Sequence, residues 1–415
     1  MLSTRAQKNL SEPSPLIVAH FAATQNPYHP ANNPTGLINL GTAENYLMGD
    51  ESLAWVNHPL VLQEHALHYS EFRGSAGLRE RLASFLRESS GMAEVGADNI
   101  VIGNGVSCLL ESLAYTLFDA GDSILIPSPC YTGYSEDFHH RFGVNIIAAP
   151  MRATEEFALN SDILRKVYDD ALQDGARVKA LLINSPNNPT GRQYPRGEIE
   201  KAVAFAEEAG LQVIADEIYA HSLFEPEKNR FESVWDIAPH YRDSIHILYG
   251  LAKDFGLSGF KFAIYCAGHP EAVEAMSRNA YFYNVSTHTQ ALVERLFSAP
   301  DELNRFLARY QQRLCTAHQH LQRCNHQTLG LPMATSQGGH FVLLDFSALL
   351  EAPTFDAETA LYYRIWREAK VNITPGQYFA CQTPGWFRLC FANHAATVTE
   401  AFRRMGEILP TAGKR

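Results

Sequence analysis

The sequence predicts an α/β fold: a large, mostly parallel sheet covered on both faces, joined to a smaller α+β unit. Three observations predict it. Short apolar strands alternate with helices over residues 95–270, the pattern of strands joined by helical crossovers. Near residue 290 that alternation stops, and a long polar helical stretch leads into isolated strands. The first 50 residues are rich in Asn and Pro and read as an extended arm of turns. Both chain ends are expected to build the second unit, dividing the chain into 1–65, 66–288 and 289–415.

Taken in order, Leu78, Leu82 and Phe85 stand at helical spacing and predict a helix over Leu78–Ser89. Asn99–Gly103 reads as a strand, Ser107–Phe118 as a helix and Ser123–Pro127 as a strand. Val144–Ala149 and Ala180–Asn184 are apolar strands, and Ile199–Ala209 is a helix. Gln212–Ala215 and Ser244–Tyr249 are strands again. One helix is expected over roughly Thr289–Cys324, then Gly339–Phe346, a helix near Ala357–Glu368 and a strand at Trp386–Phe391.

Composition removes several classes of function. The 415 residues are 46% hydrophobic and 19% charged, which excludes a disordered chain. The net charge of −11 argues against tracking a nucleic-acid backbone, which needs a positive field. Seven cysteines without a CxxC pair point to a reducing compartment, and the cytoplasm is the expected location. No apolar stretch approaches the ~18 residues of a membrane span, and Leu16-Ile17-Val18-Ala19 is too short for a signal-peptide core.

The chemistry begins at Lys253, directly after an apolar strand and before the Gly-punctuated loop Phe255-Gly256-Leu257-Ser258-Gly259. Alone it reads equally well as a surface lysine. Its company changes that. Asp216, in Ala215-Asp216-Glu217-Ile218-Tyr219, stands at the carboxyl end of a strand, where open α/β sheets bind ligands. Ser185-Pro186-Asn187-Asn188-Pro189-Thr190-Gly191 follows another strand with side-chain amides. A lysine to bind the aldehyde, a carboxylate for the pyridine nitrogen and donors for the ring oxygen are what pyridoxal phosphate requires.

Longer stretches carry a resemblance. Val371-Asn372-Ile373-Thr374-Pro375-Gly376, Pro384-Gly385-Trp386-Phe387-Arg388, Asn39-Leu40-Gly41-Thr42-Ala43-Glu44-Asn45 and Asn26-Pro27-Tyr28-His29-Pro30 resemble the class I/II aminotransferase superfamily, fold type I. Within it they are most similar to 1-aminocyclopropane-1-carboxylate (ACC) synthases, over about residues 10–405. The resemblance implies pyridoxal 5'-phosphate, a seven-stranded sheet in the large cofactor-binding unit, and a homodimer.

It also implies roles. Lys253 resembles the lysine that holds the cofactor and acts as base, and Asp216 the partner of the pyridine nitrogen. Tyr219 and Asn188 match the ring-oxygen donors, Asn188 also facing substrate. Tyr131 matches the catalytic aromatic stacked on the ring, although core packing is its alternative reading. Arg388 matches the substrate-carboxylate arginine, whose planar fork suits a bidentate pair. Gly105, Val106, Ser107 and Lys261 correspond to the phosphate cup; Gly103-Asn104-Gly105 fails as a dinucleotide fingerprint because Cys108 stands where the last glycine belongs. Glu44 is placed at the substrate mouth, facing a cationic substrate; a contact within the arm is its plainer reading.

The cup departs from the family pattern. Gly250 replaces a serine, Lys261 an arginine, and Phe72 the tyrosine that one subunit lends to the other. Arg73 is a candidate to compensate. His320 and Cys324, one helical turn apart, read as a polar helix face or as half of a metal pair; no metal site is expected. The expected function is Cα deprotonation of an amino acid followed by ACC synthase-like γ-elimination or γ-substitution, with S-adenosylmethionine as a candidate substrate. Amino transfer to a 2-oxo acid is the alternative, and a non-catalytic module of the same fold is a third. Neither a nucleic acid nor a membrane is an expected partner.

Overall fold

The computed structural model describes residues 2–11, 13–225 and 228–410. The expected segments 1–65 and 289–415 therefore run slightly beyond what is described.

Twelve strands form three sheets: β1 (Ile38–Asn39), β2 (Ile100–Gly103), β3 (Asp122–Ser128), β4 (Asn145–Pro150), β5 (Arg177–Asn184), β6 (Gln212–Asp216), β7 (Ile245–Gly250), β8 (Ala263–Ala267), β9 (Phe341–Asp345), β10 (Val371–Asn372), β11 (Thr374–Pro375) and β12 (Trp386–Cys390). Seven of them make one sheet in the order β2-β8-β7-β6-β5-β3-β4. All neighbours run parallel except β8, which is antiparallel to both β7 and β2. Every residue of β2, β3, β7 and β8 is buried, as befits strands covered on both faces. Apolar clusters fill both sides, one centred on Leu82, Phe205 and Phe255, the other on Leu113, Phe138 and Tyr265.

Register brings the chemistry to one edge. Asn184 pairs with Asp216 and Asp216 with Leu248, so β5, β6 and β7 finish side by side. The loop bearing Lys253 leaves that edge. β11, β12 and β9 form an antiparallel sheet with Arg388 opposite Thr374 and Leu343. β1 pairs in parallel with β10, joining the arm to the late chain.

Three local expectations need correction. The arm holds two helices, Thr4–Ser11 and Pro15–Gln25, before its turns. The second starts on a proline at a first-turn position and carries the Leu16–Ala19 run. The expected Thr289–Cys324 helix is two, Thr287–Leu296 and Pro300–Thr328, because Pro300 opens a new helix and cannot continue the old one. The helix Phe355–Arg364 ends before Glu368 and runs into a π turn at Ile365–Ala369.

Candidate active site

Every residue assigned a role from the sequence lines one cavity of about 670 Å³ at this sheet edge. These are Glu44, Gly105, Val106, Ser107, Tyr131, Asn188, Asp216, Tyr219, Lys253, Lys261 and Arg388. Lys253 Nζ donates to the Ala43 carbonyl at 2.6 Å. Burial lowers its pKa below the ordinary lysine value, against the opposing pull of Glu44. Asn45 donates to the Lys253 carbonyl at 3.0 Å and steadies the loop.

Asp216 accepts from Tyr134 Oη at 2.7 Å and from the Ile218 amide at 3.2 Å. Burial raises its pKa, while these donors and Lys253 pull the other way. Asn184 donates to the Asp216 carbonyl and accepts from the Asn188 amide at 2.7 Å, so one side chain ties two strand ends together. Tyr219 is buried, its ring edge-on to Phe341. Tyr131 meets the Tyr134 ring edge-on at 5.3 Å, and burial pushes its phenol up to about 12.

Arg388 is 3% exposed and lies over the Phe379 ring at 4.7 Å. It donates to Asn188 Oδ1 at 2.9 Å and to the Gly41 carbonyl. Its Nε is buried without a hydrogen-bond partner, and the residue itself lines the cavity. Glu44 accepts from Ser258 Oγ at 2.7 Å.

The anion end is built on the helix Val106–Leu117. Its cap, Gly105, has φ of +96°, a conformation that suits glycine, and offers no side-chain cap. The first-turn amides are thereby left for an anion. Asp137 lies beside them, hydrogen-bonded to Ser107; burial pushes its carboxyl up to about 8. Its Oδ2 is buried without a partner. Gly250 offers little spare room, since a Cβ there would lie 3.1 Å from Val106 Cγ2 and 3.2 Å from the Phe262 carbonyl. Arg73 does not compensate within the chain: it pairs with Glu71 at 3.5 Å and Asp98 at 3.4 Å, outside the cavity. Phe72 packs edge-on against Tyr281.

His320 Nε2 lies 3.5 Å from Cys324 Sγ and 2.9 Å from Thr399 Oγ1. No group of three or more metal-binding side chains gathers among the described residues.

Sequence reasoning missed Tyr134 and Asp137. Both follow Tyr131 at steps of three, on the helix Gly133–Phe142, so helical spacing from the stacking tyrosine was the available signal. The residues present fit pyridoxal phosphate. A partly buried lysine, a strand-end carboxylate, an uncapped helix start and a buried guanidinium line one cavity.

A fold and site of this kind define a pyridoxal phosphate-dependent enzyme. The sequence profile of the family Aminotransferase class I and II matches residues 35–405, and the chain belongs to that family. It is 32% identical over 387 residues to 1-aminocyclopropane-1-carboxylate synthase 6 of Arabidopsis thaliana, covering 90% of this chain and 78% of the relative. It is 33% identical over 394 residues to 1-aminocyclopropane-1-carboxylate synthase 6 of Oryza sativa subsp. japonica, covering 88% and 71%. The fold matches aspartate aminotransferase from Thermus thermophilus with maleate, at TM-score 0.81 and 24% identity over 99% of this chain and all of that one.

Proposed function

We propose that this enzyme is an ACC synthase-like lyase acting on an amino acid with a cationic γ-leaving group, such as S-adenosylmethionine. The observation that carries the reading is Glu44. This carboxylate lines the cavity, is held by Ser258, and acts electrostatically on Lys253. A negative group on the wall favours a sulfonium over a second acid. The 30–33% identity to ACC synthases supports the same reading.

Lys253 would hold pyridoxal phosphate, whose ring would supply the electron sink for the pair released when the amino acid loses its Cα proton. Arg388 and Asn188 hold the substrate carboxylate. Lys253 takes the Cα proton, and burial, which lowers its pKa, favours the free amine that a base requires. Asp216, fixed by Tyr134, holds the proton on the pyridine nitrogen. Tyr219 and Asn188 orient the ring oxygen, and Tyr131 covers the ring face. The first-turn amides at Val106 and Ser107, with Lys261 at the rim, hold the phosphate. Glu44 steadies the sulfonium until the Cα electron pair forms the bond to Cγ, the Cγ–S bond breaks, and sulfur leaves as a neutral thioether.

An aminotransferase would use the same residues up to proton removal and return the proton elsewhere. Incubation with S-adenosylmethionine separates the two. Formation of ACC supports the lyase, whereas keto acid from an amino-acid panel with no ACC refutes it.

The division into 1–65, 66–288 and 289–415 belongs to the same proposal, as does assembly into a homodimer. Leu67, Tyr69 and Phe282 expose 77%, 99% and 84% of their surface, and Phe282 meets Tyr281, which packs on Phe72; exposed apolar side chains of this kind suit a second copy. Sedimentation showing an active monomer would contradict the dimer. Seven unpaired cysteines support a cytoplasmic location. No helix among the described residues is long and apolar enough to cross a membrane.

A further inference from the structure

Behind the cavity runs a buried chain of hydrogen bonds that the proposed reaction does not use. Asp254, fully buried, accepts from Ser222 Oγ at 2.5 Å, from the His221 amide at 3.0 Å and from Tyr249 Oη at 3.0 Å. Ser222 Oγ lies 2.6 Å from Tyr310 Oη, and Tyr310 Oη lies 2.7 Å from His340 Nε2. His340 is fully buried, edge-on to Tyr219 with centroids 5.4 Å apart, and its Nδ1 has no partner. Four side chains far apart in sequence thus meet between Lys253's neighbour and Tyr219.

Each hydroxyl carries one hydrogen, so the chain has two self-consistent directions. With Asp254 ionised, Ser222 donates to it, Tyr310 donates to Ser222, and His340 must carry its proton on Nε2. With Asp254 protonated on Oδ1, every donor reverses, and His340 carries its proton on Nδ1. His340 stays neutral in both.

We propose that Asp254–Ser222–Tyr310–His340 is a proton relay that reports the protonation of Asp254 at His340 and positions Tyr219 in the wall of the cavity that Lys253 also lines. The inference rests on the site roles proposed above for Tyr219 and Lys253. His340 is a positioning residue: it touches Tyr219 and keeps a second positive charge away from Lys253. Burial, and then the Lys253 charge, push the His340 pKa well below its usual value. Burial pushes the Asp254 carboxyl up to about 7, against the Ser222, His221 amide and Tyr249 donors, so the reversal falls near neutral pH. His221, whose amide bonds Asp254 and whose ring meets Tyr249 edge-on, is buried and held down to about 4.

The test is the tautomer of His340 in holoenzyme labelled with 15N-histidine, its signal assigned by loss in His340→Gln. In the wild type, Nδ1 is expected to change from pyrrole-type below neutral pH to pyridine-type above it. In Asp254→Asn, the His221 and Tyr249 donors hold the amide oxygen, so the amide nitrogen must donate to Ser222. His340 then stays Nδ1-protonated at every pH. Tyr310→Phe cuts the chain and makes the tautomer independent of both pH and Asp254→Asn. The pH midpoint of the visible absorption of bound pyridoxal phosphate should shift in Asp254→Asn with cofactor still bound. One unchanging tautomer across pH and variants, an imidazolium signal, or a tautomer switch without an absorption shift would overturn the relay. The tautomer is read without turnover, so a wrong substrate assignment leaves this test intact.

Discussion

Tyr134 donates its hydroxyl hydrogen to Asp216 Oδ2 at 2.7 Å, with both groups buried. A hydrogen bond to a charged group contributes about 1.5–3 kcal/mol, and here it offsets the burial that would otherwise neutralise the carboxylate. Tyr134→Phe should therefore retain cofactor and lower kcat by about 10- to 100-fold. The deficit should deepen as pH falls, because Asp216 loses one of its charge-stabilising donors. Steady-state kinetics over a pH range check this, and an unchanged profile would remove Tyr134 from the mechanism.

Lys253→Ala should keep the fold and abolish turnover. Mass spectrometry after borohydride reduction should find the cofactor adduct on Lys253 in the parent enzyme. An adduct on another lysine would sink the assignment.

Arg388→Ala removes one half of a desolvated charge pair, a loss of roughly 2–5 kcal/mol in substrate binding. KM should rise steeply while cofactor absorption persists. Arg388→Lys should rescue little, since an ammonium cannot replace the planar fork that also reaches Asn188 and Gly41. An unaltered KM in either variant would place the carboxylate elsewhere.

Asp137 gives the anion end a pH dependence. Its carboxyl, pushed up to about 8 mainly by burial, stays largely protonated at neutral pH and ionises above it. Cofactor loss on dialysis should accelerate between about pH 7 and 9 as a second negative charge appears beside the phosphate. Asp137→Asn should flatten that rise. Equal loss rates at both pH values in the parent enzyme would refute the coupling.

Global stability should peak between two buried sets of groups. His221, His246 and His318 are each held down to about 4 by burial. Below about pH 6.5 the unfolded chain takes up protons that the folded one refuses, so stability falls as pH drops from 6.5 toward 4. For His246, fully buried, the loss is on the order of 3 kcal/mol. Glu217 is pushed up to about 8 and accepts from Ser233 and the Val234 amide. Its folded form keeps a proton the unfolded form has lost, so stability falls as pH rises from about 4.5 through 8. Urea midpoints at pH 6 and 9 should differ less in Glu217→Gln than in the parent.

Lys253, Asp216 and Asn188 were legible in the sequence because each follows an apolar strand, and strand ends converge in a parallel sheet. The fold class was legible for the same reason. β8 was not picked out, because an antiparallel return looks like one more apolar run. The helix Pro15–Gln25 was hidden by the turn residues around it, and the break at Ser298-Ala299-Pro300 by the polar helical pattern on both sides. Arg73 looked available for the phosphate because sequence does not show Glu71 and Asp98 already holding it. The Asp254 chain was invisible: residues 222, 254, 310 and 340 share no local pattern.

The pairing of β1 with β10, and of Arg388 with the Gly41 carbonyl across 347 positions, orders events on the ribosome. The seven strands of the large sheet and the loop that carries Lys253 are all synthesised before residue 268, so the sheet can assemble before the late chain is made. The carboxylate pocket cannot, because its floor comes from the first tenth of the protein and its arginine from the last. Until β10 and then residue 388 emerge, the early segment lacks both its partner strand and the arginine that bonds it, and long-range contacts of this kind form late. A nascent chain arrested before that point would hold the edge of the large sheet without Arg388, so this part of the cavity closes only after the sheet is made.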